Sequence, residues 1–341
     1  MKIKISVAEN FSKKWLTNLN YSEEKADLTV KNIIEAEISG KISHGLSKLL
    51  AIKSVIDKKM PLDSDYLDYV SPQTDYNIVS EGSTHLHIDA QYSPGAYVIY
   101  KSLDFALEKV RDAKICVVGI KDLGFTSGYI GAYARDVASK SLIYLGFHNS
   151  SGGLVPYGAR RDPWGTNPIT CGIPSNGYPV IIDSAMSKIT WSAIVDAKRD
   201  GIRLPKNVAI DNDGNYITDP TGMVRGIGGI LPIGGRKGSS LAFMVELLAG
   251  ALTDSRCGCN VKGGWGAFYI LIDPTLLRPL EEFKKDVDIA IKELKGLPRA
   301  KGVKEIFYPG ERSGKQRAKQ LKQGWVDVDE KLWEEIEKLV G

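Results

Sequence analysis

Histidine and cysteine are both scarce in this 341-residue chain, with four of each. Cys116, Cys171, Cys257 and Cys259 are too few and too scattered for a disulfide scaffold. Cys257-Gly258-Cys259 has a single intervening residue and no second pair to complete a zinc site. The histidines His44, His85, His87 and His148 include no pair at the helical spacing of a zinc protease. His85 and His87 would share one face of a strand, where they read either as ordinary surface residues or as metal contacts. No stretch holds 18 continuous apolar residues, so no membrane span is expected, and Met1-Lys2-Ile3-Lys4-Ile5-Ser6 does not open a secretory signal. Charge of one sign is also missing: 45 Lys and Arg stand against 41 Asp and Glu, a net +4. No basic stripe interleaved with aromatics appears, which argues against nucleic acid as a partner. The most basic stretch, Arg312 to Lys322, reads as a solvated helix face, with an anion site as the alternative. The expectation is a cytoplasmic protein with no resident metal.

Three common catalytic signatures are absent as well. The first strand is not followed by Gly-x-Gly-x-x-Gly, and Gly-x-Ser-x-Gly does not occur. Lys237-Gly238-Ser239 looks like the end of a phosphate-binding loop, but Leu231 and Arg236 occupy the positions that such a loop reserves for glycine.

What is present is a globular composition, 43% apolar and 25% charged, long enough for two or three domains. Helical spacing over Asp27–Ala36 and after Ser43, where Leu46, Leu49, Leu50, Ile52 and Val55 form a stripe, predicts a helical lobe over residues 10–65 that ends at Met60-Pro61-Leu62-Asp63. Strands are expected within 75–90, at Cys116–Ile120, Leu142–Phe147, Pro179–Asp183 and Trp265–Asp273. Helices are expected over Tyr97–Arg111, within Phe125–Ser139, over 184–198, Pro279–Leu294 and Asp329–Leu339. The nearly all-apolar run Ser240–Leu248 reads as the core helix of the large domain, and Gly226–Gly235 as a glycine-rich loop. This order makes an α/β chain, though not a simple βαβ series.

His44 is the residue with the most chemical promise. It lies in Ile42-Ser43-His44-Gly45, with Lys48 four positions on. A histidine titrating near neutrality exchanges a proton with a substrate hydroxyl, and a lysine one helical turn away holds a carboxylate. Ser43 either orients the ring or caps the next helix, and a purely structural histidine fits the spacing equally well. His148 follows an apolar strand and precedes a glycine-rich turn, where it either lines a site or packs in the interior.

Ser43-His44-Gly45, Asp162-Pro163-Trp164-Gly165-Thr166-Asn167-Pro168, Asp183-Ser184-Ala185-Met186-Ser187, Gly234-Gly235-Arg236-Lys237-Gly238 and Pro309-Gly310-Glu311-Arg312 resemble, in order, the landmarks of the malate/L-lactate dehydrogenase family of the non-Rossmann type. That family includes sulfolactate and ureidoglycolate dehydrogenases and cyclic imine reductases. The resemblance implies an α/β fold with a non-Rossmann NAD(P)-binding domain built on a largely antiparallel sheet. A helical lobe and a mixed domain made from both chain ends would complete it. The implied division is 10–65 for the lobe, 1–9 with 66–117 and 285–341 for the mixed dimerisation and substrate domain, and 118–284 for the nucleotide domain.

It further implies a homodimer, with the cleft near the subunit contact, that moves hydride between NAD or NADP and a small carboxylated 2-hydroxy or 2-oxo acid. His44 would then be the proton donor and acceptor, with Ser43 beside it. Lys48 stands where the family has a carboxylate-binding arginine, and loses the bidentate fork. Thr166 and Asn167 would line the substrate and nicotinamide pocket. His148, Asp183, Ser184, Ala185, Arg236, Lys237, Gly310, Glu311 and Arg312 would contact the nucleotide, and the last three would form a closing loop. Arg236 meets a 2′-phosphate or makes a structural ion pair. Thr126 stands in register with a histidine of many members, and Ile52 with a tyrosine. Ala193 replaces the aspartate that partners the histidine in the imine-reducing branch. A reductase of cyclic imino acids or other small carbonyl compounds, and a nonenzymatic nucleotide-binding dimer, are the alternative readings.

Overall fold

The computed structural model describes residues 1–57, 69–224, 228–258 and 264–339. The expected helix stop at Met60–Asp63, the end of the lobe at 65, Cys259 and the start of the glycine-rich loop at Gly226 lie outside the described residues. The strands are β1 (Lys2–Lys4), β2 (Asn77–Glu81), β3 (His85–Asp89), β4 (Ile115–Leu123), β5 (Ile143–His148), β6 (Ile169–Ile173), β7 (Val180–Ser184), β8 (Ala209–Ile210), β9 (Tyr216–Ile217), β10 (Gly229–Ile230), β11 (Trp265–Ile272) and β12 (Trp325–Asp327). The helices are α1 (Ile5–Asn18), α2 (Glu23–Ile38), α3 (Ser47–Ile56), α4 (Gly95–Ala113), α5 (Ile130–Ala138), α6 (Trp191–Arg199), α7 (Pro220–Val224), α8 (Arg236–Val245), α9 (Leu280–Gly296), α10 (Glu311–Gln323) and α11 (Glu330–Glu337).

A mixed seven-stranded sheet in the order β2-β3-β4-β11-β5-β6-β7 organises the molecule. Only β3 and β4 run parallel, joined by α4 as the crossover; the other five neighbour pairs are antiparallel. One face buries Val118, Ile120, Tyr144, Tyr269 and Leu271 together with Ile99 and Leu103 of α4 and Tyr133 and Val137 of α5. On the other, Phe268 packs with Val245 and Ala249, the latter in a π-helical segment Glu246–Ala251 that continues α8. The helical lobe has its own core: Trp15, Leu16, Ile33, Ile34, Leu46, Leu49 and Ile52 of α1–α3, closed by Leu332, Trp333 and Ile336 of α11. The β1–β12 pair ties the two chain ends together there, with Ile3 opposite Val326. A small three-stranded sheet, β10-β8-β9, with α6 and α7 forms a separate apolar cluster around Ile194, Leu204 and Met223.

Local signals explain the helix ends. Ser22 accepts the Lys25 N–H at 3.4 Å, with Glu23 and Glu24 in the first turn of α2, and Thr190 and Asp329 cap α6 and α11 in the same way. Gly310 (φ 89°) and Gly324 (φ 72°) bracket α10 in left-handed conformations that suit glycine.

Three expectations change, and a fourth is narrowed. Residues 185–190 are not helical: Met186 N–H donates to the Thr166 carbonyl at 2.8 Å, its own carbonyl accepts from Ile233 at 2.9 Å, and these bonds to two loops delay the helix until the Thr190 cap. Within Phe125–Ser139 the helix waits until Ile130, because Asn32 holds the backbone of Tyr129 from the side. Gly310–Arg312 is not a loop but the cap and first turn of α10. The run Ser240–Leu248 is not a buried core helix. Gly238, Ala242, Val245 and Ala249 face inward, whereas Leu241 (42%), Phe243 (49%), Met244 (36%) and Leu247 (45%) are exposed. Close packing selects the small residues of this helix and leaves the large ones outside.

Candidate active site

The His44 turn is made where α2 has to stop. Gly40 takes φ +73°, the Lys41 N–H closes back on the Ala36 carbonyl at 2.8 Å, and a 3-10 turn Ile42–His44 leads through Gly45 into α3. Ser43 Oγ lies 3.0 Å from His44 Nδ1. The serine thus orients the ring and does not cap α3, whose N-cap residue, Leu46, makes no side-chain cap. With Nδ1 engaged, Nε2 is the ring nitrogen left for a ligand. Lys48, one turn on, holds its ammonium 5.5 Å from the centre of the Phe125 ring. Phe125, Thr126 and Gly128 line the opposite side of the cleft, with Pro94 and Gly95 at the start of α4.

That opposite side is fixed from the lobe itself. Asn32 of α2 accepts the Tyr129 N–H at 2.7 Å and donates to its carbonyl at 3.1 Å. Gly128 has φ +71°, and a Cβ there would stand 2.0 Å from Asn32 Oδ1, so this contact requires glycine. Burial pushes the His44 pKa from its ordinary value near 6.5 down to about 3, with the Lys48 and Lys41 charges acting in the same direction. Desolvation and like charge both favour the neutral ring.

The remaining sequence-expected residues gather along the β6–β7 edge. Asn167, in a left-handed conformation (φ 42°), donates from Nδ2 to the Ala242 carbonyl at 3.0 Å and to Glu246 at 2.7 Å. The Thr166–Met186–Ile233 hydrogen bonds and the Ser187–Pro232 bridge bring Asp183–Ser187 beside Gly234–Lys237. Gly234 and Gly235 both have positive φ, and Arg236 and Lys237 are exposed in the first turn of α8. Asp183 accepts the Gly131 N–H at the start of α5, 3.2 Å away. Burial raises its pKa, opposed by the Lys41 charge, the Gly131 hydrogen bond and Arg135. Ser184 Oγ donates to the carbonyl of Ala185 at 3.2 Å.

The Ile181 N–H donates to Pro309 at 3.0 Å, which sets Gly310 against β7. Glu311 is buried and turned onto Lys295 and Lys315, and Arg312 stacks over Phe307 at 5.0 Å. His148 is buried with neither ring nitrogen hydrogen-bonded among the described residues, and burial lowers its pKa to about 4. His44, Ser43 and Lys48 therefore form one group and the nucleotide-type residues another. The Lys41 charge acts on both His44 and Asp183.

Sequence reasoning missed Glu246 and Asn149. Glu246 is a buried carboxylate held by Asn167, by Asn149 at 3.5 Å and by the Gly258 N–H at 2.7 Å. Its signal was a lone charge inside an apolar helical run, which packing tolerates only when hydrogen bonds compensate it.

Residues 3–337 match the malate/L-lactate dehydrogenase family. The malate/(S)-sulfolactate dehydrogenase of Methanothermus fervidus is 31% identical over 335 residues, covering 96% of this chain and 93% of that protein. The chain belongs to the malate/L-lactate dehydrogenase family. The Δ1-pyrroline-2-carboxylate/Δ1-piperideine-2-carboxylate reductase of Pseudomonas syringae pv. tomato is 29% identical, covering 94% of this chain and 91% of its own length. Among solved structures, the sulfolactate dehydrogenase of Methanocaldococcus jannaschii superposes with a TM-score of 0.85 at 27% identity, covering 99% and 96% of the two chains.

Thr126 and Ile52 line the same cleft as His44 and Lys48. Ala193 lies in the first turn of α6, exposed, where its N–H meets Thr190 Oγ1 at 3.2 Å.

Proposed function

We propose that this oxidoreductase transfers hydride between NAD or NADP and a small 2-hydroxy/2-oxo acid of the malate or lactate type. The observation that carries the reading is the cleft that His44, oriented by Ser43, lines together with Lys48, four residues on and across the break at Gly45. Thr166 and Asn167 do not line that cleft; they stand with the residues of the β6–β7 edge and would meet the nicotinamide from there. For the nucleotide, the donor set fits a phosphate-bearing group: two exposed cations and two left-handed glycines at the N-terminus of the ten-residue α8, where unpaired N–H groups favour anions. Asp183, Ser184 and Ala185 border that turn, His148 lies at the end of β5, and Gly310, Glu311 and Arg312 flank β7. Bound there, the nicotinamide supplies or accepts the hydride.

The chain's own residues do the rest. Lys48 binds the substrate carboxylate as a point charge. In reduction His44 Nε2 gives its proton to the carbonyl oxygen as that atom becomes an alcohol, and in oxidation it takes the proton back. Burial is the main cause of the lowered His44 pKa, and the substrate carboxylate would offset only the part that the Lys48 charge adds. Exposed Ala193 offers no carboxylate to a histidine, which favours a hydroxy acid over a cyclic imine as substrate.

The exposed apolar stripe Leu241, Met244 and Leu247 supports a homodimer, and a cytoplasmic location fits the reading. Among the described residues no helix is long and apolar enough to cross a membrane.

The test is a panel of pyruvate, oxaloacetate, 2-oxoglutarate, sulfopyruvate and a cyclic imine with NADH and NADPH, followed at 340 nm. Turnover of one 2-oxo acid, reduced about a hundredfold or more in His44→Ala with nucleotide affinity kept, is the expected outcome. Undiminished turnover in His44→Ala removes the proton-transfer role, and turnover of the imine alone replaces the substrate class.

A further inference from the structure

Glu37 has no part in the chemistry described so far, yet its side chain reaches from α2 into the His44 turn. It is buried, and its carboxylate accepts the Leu46 N–H at 2.9 Å. Its carbonyl accepts the Gly40 N–H at 3.0 Å, so one residue grips both ends of the loop 40–46. Leu46 is the N-cap position of α3, which has no side-chain cap of its own, and from nine residues upstream Glu37 takes the N-cap residue's own N–H, as the carboxylate partner of a capping box does. The packing is close: a Cβ on Gly45 would stand 2.0 Å from Glu37 Oε2 and 3.2 Å from Glu37 Cα.

The gripped N–H lies between His44 and Lys48, two residues from each. The two side chains belong to different elements, a 3-10 turn and an α-helix, and their relative placement is fixed at the junction that Glu37 holds.

We propose that Glu37 is a positioning residue: by accepting the Leu46 N–H it sets the spacing between the proton-transfer histidine and the carboxylate-binding lysine. The inference rests on the hydroxy-acid reading of the site, but its geometric part is measurable without turnover. Any acceptor of the same reach suffices, so a neutral amide replaces the carboxylate and a shorter side chain does not. Burial pushes the Glu37 pKa up to about 7, which agrees with an acceptor role that does not depend on charge.

The experiment compares Glu37→Gln, Glu37→Asp and Glu37→Ala with the wild type in kcat, KM for the acid, NADH affinity by fluorescence, and the His44 ring signals in 15N-detected NMR titrations. Glu37→Gln is expected to keep kcat within about threefold and leave the His44 titration in place. Glu37→Asp and Glu37→Ala should lose about tenfold to a hundredfold in kcat, as small misplacements of reacting groups do, with NADH affinity unchanged and the His44 signals moved. Should Glu37→Ala fail to fold, Glu37→Asp keeps the buried carboxyl and withdraws only its reach. Wild-type kcat and His44 signals in Glu37→Asp overturn the proposal, as does a loss in Glu37→Gln equal to that in Glu37→Ala. If the wild type turns over no acid, the hydroxy-acid reading falls, and the NMR comparison still decides whether Glu37 places the ring.

Discussion

At the scale of single residues, His44 shows how a site sets a proton's affinity. Its depressed pKa means that the free protein holds a neutral imidazole through the physiological range. A neutral ring is the form needed to accept a proton, so kcat/KM for a hydroxy acid should stay level as pH falls from 8 to about 5. An unperturbed histidine would instead give half its maximum near pH 6.5. In the reduction direction the protonated form is required, and the rate should fall as pH rises. Lys48 is the larger of the two charges acting on the ring. Lys48→Met should therefore raise the His44 pKa, seen as a step moving upward in the oxidation profile. The same change should lower kcat/KM by about a hundredfold for substrates with the anchoring carboxylate, the scale of a lost charge-assisted hydrogen bond. An oxidation profile that does not move would show that the ammonium does not face the ring.

At the scale of elements, the sequence was legible where one signal dominated. Short apolar runs located β4, β5, β7 and β11 to within a few residues, and helical spacing located α2 and α4. The candidate site was local in the same way: His44 and Lys48, four residues apart, line one cleft, with Ser43 on the His44 ring. What escaped was set by partners distant in the chain. Residues 185–190 stay extended because Thr166 and Leu231–Ile233 hydrogen-bond them, and α5 starts late because Asn32, 97 residues upstream, holds Tyr129. Glu37 looks like a surface charge in isolation, and only the packing shows it buried.

The junction of β7 with α10 gives a test at this scale. Gly310 has φ +89°, and an added Cβ would sit 2.7 Å from the Ile181 nitrogen that donates to Pro309. Gly310→Ala should cost about 1–3 kcal/mol in urea unfolding, from backbone strain and the displaced strand edge. An unchanged midpoint would mean that α10 shifts freely relative to β7.

At the scale of the whole molecule, the exposed side of α8 and its π-helical extension is the feature a lone chain explains least. Leu241, Met244 and Leu247 recur every three residues, so they form a continuous stripe, with Leu252 exposed beyond it and Phe243 stacked on Trp164 alongside. Scattered exposed leucines are ordinary, whereas a contiguous apolar stripe is the kind of surface that the proposed dimer would cover. The stripe also continues from the Arg236–Lys237 turn, so a second copy seated on it would lie beside the proposed nucleotide groups. The expected result is a dimer in sedimentation velocity at micromolar concentration. The double variant Met244→Glu, Leu247→Glu should sediment as a folded monomer, because two charges on each partner would be brought together in an apolar contact. The inward residues Gly238, Ala242, Val245 and Ala249 are untouched by these changes, so the circular dichroism spectrum should be preserved. A monomeric wild type would remove the dimer from the reading, while an undissociated double variant would move the contact to another face.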